Sequence, residues 1–107
     1  LEATQARALS RYETLSAQGQ ASAELDAVVQ AACTGRIDTA FVNLDQQIWG
    51  VVDQTSYDLS IDDESTAANE DLIDLVARQT FAHGGQVYAL SAEKMPDNAA
   101  SAAFFRY

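Results

Sequence analysis

The chain is expected to fold as a single α/β domain, and three stretches carry that expectation. Residues 22–44 read as an amphipathic helix, a glycine stop and an apolar strand; residues 69–90 repeat the same order; residues 102–107 close the chain as a last apolar run. Alternation of a 3.6-residue apolar period with short β-branched and aromatic runs is the pattern of helices packed on a sheet. The full order is two helices, a strand, a second strand pairing with it, a helix, a strand, a short helical turn and a final strand.

Composition sets the bounds. At 107 residues there is room for one domain, because a chain of this size removes roughly 60 to 70% of its unfolded surface from water. Hydrophobic content of 48% argues against disorder, and a mean hydropathy of -0.14 without a long apolar run argues against a membrane span. The expectation is a soluble globular piece. Leu1 opens the sequence without an initiator methionine or a signal-like segment, so an excised domain of a longer, cytoplasmic protein is expected. Cys33 is the sole cysteine, which leaves no internal disulfide. Sixteen acidic residues stand against five arginines and Lys94, giving a net charge of -10. That balance repels phosphate, and only Arg7 and Arg11, one helical turn apart, approach a basic patch. The acidity reads as solubility or adaptation to a salty cytoplasm.

From Ala3 to Ala17 no Gly or Pro interrupts, and Ala8, Leu9, Tyr12 and Leu15 fall at helical spacing. Gly19 stops this lead-in helix. Ser22 is placed to cap a second helix, whose stripe Leu25, Val28, Val29 and Ala32 faces a core, with Cys33 beside it as a small buried hydrophobe. Gly35 ends it. Thr39 to Leu44 reads as a central strand, and Ile48 to Asp53 follows so closely that a hairpin is the natural pairing. Gly50 marks a bulge or a tight approach, and Trp49 a half-buried sheet position. Tyr57, Leu59 and Ile61 alternate with polar residues, as a short edge strand extending the hairpin would.

The next helix is expected to be capped by Asn69, with Glu70 and Asp71 in its first turn. Leu72, Ile73, Val76, Ala77 and Thr80 share its core face, while Asp74 and Arg78 pair on the opposite one. Gly84 ends it, and Val87 to Leu90 suit a buried strand. Ser91 can cap a single helical turn that Pro96 terminates. Ala102 to Tyr107 is the final strand.

Candidate chemistry is sparse. Asp58, Asp62, Asp63 and Glu64 suggest a calcium loop, but counting from Asp58 the sixth position is Asp63 instead of Gly and the twelfth is Asn69 instead of Glu. One His and one Cys cannot make a structural zinc site. His83, the only candidate base, sits among apolar residues near a helix end, where capping is the ordinary role. Gly84-Gly85 precedes a strand, the reverse of a phosphate loop. No catalytic, cofactor-binding or metal residue is therefore assigned.

Several runs carry a family resemblance. Residues 20–45, with Gly35-Arg36-Ile37-Asp38-Thr39-Ala40-Phe41-Val42 after a helix, resemble the start of the third domain of archaeo-eukaryotic class I release factors and their relative Pelota. Trp49-Gly50, Glu70-Asp71-Leu72-Ile73-Asp74-Leu75, the glycine stop and the terminal Ala102-Ala103-Phe104-Phe105-Arg106-Tyr107 resemble the bacterial members of that superfamily. The resemblance covers residues 20–107 and implies a three-layer α/β/α sandwich with a mixed sheet, shared with a ribosomal-protein family that binds kinked RNA. Residues 1–18 would be the helix leading in from a preceding domain.

The same resemblance governs Gly84-Gly85-Gln86. Release factors hydrolyse peptidyl-tRNA with a Gly-Gly-Gln motif of their middle domain, whereas these residues align with a helix-to-strand turn of the third domain, so the catalytic role does not transfer. The implied function is a non-catalytic module that docks a release-factor-like protein onto a protein partner, a translational GTPase or the ribosome. Direct binding of structured RNA is the alternative, disfavoured by six cations. A small carboxylate-dependent enzyme comes last.

Overall fold

A computed structural model describes residues 2–106. Its elements are α1 (Glu2–Ala17), β1 (Ala21–Ser22), α2 (Leu25–Cys33), β2 (Ile37–Asn43), β3 (Trp49–Val52), β4 (Leu59–Ile61), β5 (Glu70–Asp71), α3 (Leu72–Ala82), β6 (Gln86–Leu90), two 3-10 turns (Ala92–Lys94 and Pro96–Asn98) and β7 (Ser101–Phe105). Tyr107, expected to close the last strand, lies outside the described residues.

Strand β2 is buried at every position but Asp38; Ile37, Ala40, Phe41 and Val42 are the apolar side chains that require it, while the buried Asn43 donates to the Ala99 carbonyl. It has neighbours on both edges: β7 antiparallel and β6 parallel, in a mixed sheet of order β1-β7-β2-β6. Alternate side chains then need cover on both faces. Ala40 and Val42 meet Val28, Val29, Leu72, Val76 and Ala103, the core under α2 and α3. Phe41 points the other way, among Tyr12, Met95, Ala102 and Phe104 beneath α1. The architecture is thus three layers, with α2 and α3 on one face and α1 on the other. Strict alternation would put Ile37 on the α1 side, but the ladder slips between Ile37 and Thr39, and this bulge turns Ile37 into the α2/α3 core.

Phe41 anchors the α1 face through rings. Its centroid is 5.9 Å from Tyr12 in an edge-on arrangement and 5.8 Å from Tyr88 in a stacked one, with Phe104 at 6.4 Å. Arg11 of α1 lays its guanidinium 5.0 Å over the Phe104 ring, tying the helix to the strand beneath it.

The expected hairpin does not form. β2 is already paired on both edges, so β3 leaves the main sheet and builds a second, three-stranded one of order β4-β3-β5. β4 does pair antiparallel with β3, as the alternation at Tyr57, Leu59 and Ile61 suggested. Gly50 is the close approach: a Cβ there would stand 2.5 Å from the Ser60 carbonyl oxygen and 2.8 Å from Leu72 Cδ1.

The capping expectations need correction. Asn69 does not cap α3; its Oδ1 accepts the Thr66 amide while its Nδ2 donates to Asp62 and to the Glu64 carbonyl, pinning the acidic loop. Asp71 is the cap, accepting from the Ile73 amide at 3.0 Å and from the Ile48 amide at 3.3 Å, so one carboxylate joins the start of α3 to the entry of β3. Glu70 and Asp71 are therefore strand residues, not a first helical turn. Ser22 lies in β1, and Glu24 takes the N-cap position of α2 without a side-chain bond. Pro96 opens a second 3-10 turn instead of closing the first, which ends at Lys94. Ser91 makes no capping bond. The expected Asp74–Arg78 pair forms at 2.7 Å, and Glu70 joins it.

Replacement of Phe41 by Ala removes a ring at 0% exposure and is expected to cost about 3 to 5 kcal/mol. Urea unfolding of the two proteins measures it; a loss below about 1 kcal/mol would mean that α1 is not held through this ring.

Candidate functional site

The turn from α3 into β6 holds both sequence features with a chemical association, His83 and Gly84-Gly85-Gln86. Gly84 has φ +84°, and its amide donates to Phe81 while the Gly85 amide reaches back to the Thr80 carbonyl at 2.9 Å. These two bonds satisfy carbonyls that a helix end leaves orphaned. α1 and α2 finish with the same pair of bonds, around Gly19 and Gly35.

Gly85 is needed for space. A Cβ on it would lie 2.7 Å from Thr80 Cγ2 and 2.9 Å and 3.1 Å from the carbonyl oxygens of Ile37 and Asp38, so the turn is pressed against the start of β2. Gln86 is the first residue of β6, paired with Thr39 and exposed. The tripeptide accordingly divides into a left-handed helix stop, a contact point and a strand residue.

His83 is the C-cap residue of α3. Its Nδ1 is 2.8 Å from the Gln79 carbonyl oxygen, which only accepts, so that nitrogen carries a proton. The ring lies against the end of α2, where a Cβ on Gly35 would come within 2.9 Å of His83 Cδ2. Its carbonyl accepts from Arg106 Nη2 at 2.7 Å. Every polar tie of this residue holds a helix end in place, consistent with the capping role expected of it.

Two arginines meet beside this turn that sequence spacing did not bring together. Arg36 and Arg106 line a recess of about 220 Å³ with Phe105, over which Arg36 lies at 5.3 Å. The Arg106 amide donates to the Arg36 carbonyl because the β2–β7 ladder continues past its last pair. Only that register, 70 residues apart in number, reveals the pairing. Arg7 and Arg11, the pair visible in sequence, sit on α1, with Arg11 committed to Phe104.

Cys33 packs against the α2/α3 core. Burial, and then the Glu70 carboxylate, push its thiol above the ordinary range, the opposite of activation. Among the described residues no group of three or more His, Cys, Asp or Glu side chains is arranged to hold a metal ion. Within the same residues no helix is long and apolar enough to cross a membrane.

No protein-family model and no curated protein matches the chain. A solved structure does: the C-terminal domain of a peptide chain release factor from Methanosarcina mazei superposes with a TM-score of 0.70 at 14% identity, covering 97% of this chain and 82% of that one. The fold is that of a release-factor C-terminal domain.

Substitution separates the roles within the turn. Gly84→Ala is expected to cost about 1 to 2 kcal/mol for its left-handed backbone. Gly85→Ala should cost more, because backbone oxygens of β2 must move, and Gln86→Ala should stay within about 0.5 kcal/mol as an exposed change. Thermal unfolding ranks the three; a Gln86 effect as large as that of Gly85 would contradict the assignment.

Proposed function

We propose that this chain is the third domain of a bacterial release-factor-like protein, related to archaeo-eukaryotic class I release factors and Pelota, and that it serves there as a non-catalytic docking module. The observation that carries the reading is the fold match to a release-factor C-terminal domain, which runs over 97% of the chain. Gly84-Gly85-Gln86 supports it, since each glycine has a backbone reason to be where it is.

The partner is a protein of the translation apparatus, a translational GTPase or the ribosome itself, met in the cytoplasm by the parent chain with its other domains. Direct capture of structured RNA has less support. Net charge is -10, and Arg78 is already neutralised by Glu70 and Asp74.

Co-sedimentation with ribosomes, comparing the parent protein with a version lacking this segment, tests the reading. Loss of ribosome or GTPase association on deletion is expected. Unchanged association with both would contradict it.

A further inference from the structure

The small sheet turns an apolar face inward that is covered only in part. Register pairs Gly50 with Ile61 and Val52 with Leu59, and residues directly opposite on neighbouring strands share a face. Gly50 and Val52 are buried against the core, so Ile61 and Leu59 look the same way. Ile61 is nevertheless 56% exposed. β4 is an edge strand, and between it and the start of α2 runs an open groove of about 690 Å³.

Its walls combine two chemistries. Leu25, Tyr57, Leu59 and Ile61 supply apolar surface, and Glu24, Asp26 and Asp58 supply carboxylates. No Lys or Arg lines it. The N-terminus of a helix alone would favour an anion. Here Glu24 and Asp26 occupy that end themselves, and Asp26 Oδ1 accepts the Ala27 amide at 2.9 Å. An incoming anion would meet carboxylates first, whereas a Lys or Arg would gain charge pairs while its aliphatic stem covers the apolar wall.

We propose that this groove docks a basic segment of a partner protein, one that inserts an aliphatic or aromatic side chain between α2 and β4 and sets Lys or Arg against Glu24, Asp26 and Asp58. The proposal rests on the docking-module reading and adds the surface and the chemistry of its partner. Nucleic acid is repelled by the same three carboxylates.

Random peptides displayed on phage and selected on the 107-residue chain supply the probe. Peptides that combine Lys or Arg with an apolar side chain are expected. Their binding should weaken roughly ten-fold or more in the Asp26→Lys/Asp58→Lys variant and again in Ile61→Asn. All three positions are exposed; because Asp26 bonds the Ala27 amide at the start of α2, a thermal melt of each variant sets the temperature below which binding is compared, and the single variant Asp58→Lys, which leaves that bond intact, should weaken binding as well. An empty selection, peptides without basic character, or equal binding to the variants overturns the proposal. The docking reading survives any of those results if ribosome or GTPase association of the parent protein still requires this segment, and falls only if that association is indifferent to it.

Discussion

Two-sided burial of β2 is the constraint from which the other elements follow. A strand with neighbours on both edges and apolar side chains on both faces must be covered above and below, and Phe41 and Ala40 point to opposite sides accordingly. Cover on one side comes from α2 and α3. On the other it comes from α1 through Tyr12, so the lead-in helix is an integral layer of the fold. Saturation of both edges of β2 also forces β3 out into a sheet of its own, which creates the groove beside α2.

The helix ends show how the same fold uses the Gly-Gly-Gln letters. Three helices close with the same pair of backward bonds, and the one after α3 is tightened further by the approach of Gly85 to β2. His83 and Arg106 lock the outside of that turn. Here the two glycines are consumed by backbone geometry, and Gln86 is a strand residue paired with Thr39.

Much of this was legible in the sequence where a single local rule decided the outcome. The stripe of α3, the Asp74–Arg78 pair, the glycine stops and the tight approach at Gly50 all depend on neighbours in sequence or on one residue's chemistry. Capping is less legible. Asn69 and Asp71 are both good cap residues, and only the pairing of Glu70 and Asp71 with β3 decides between them. The β2–β3 hairpin failed for a similar reason: short spacing favours local pairing, but β6 and β7 compete for the same edges and win. The meeting of Arg36 with Arg106, and the groove between α2 and β4, depend wholly on such distant pairings.

The central proposal is that Gly84-Gly85-Gln86 ends a helix and takes no part in peptidyl-tRNA hydrolysis. Peptidyl-tRNA hydrolysis by the wild-type chain and by Gln86→Ala measures it most directly. No release above the uncatalysed rate is predicted for either protein. Release by the wild type that disappears in the Gln86 variant would contradict the account.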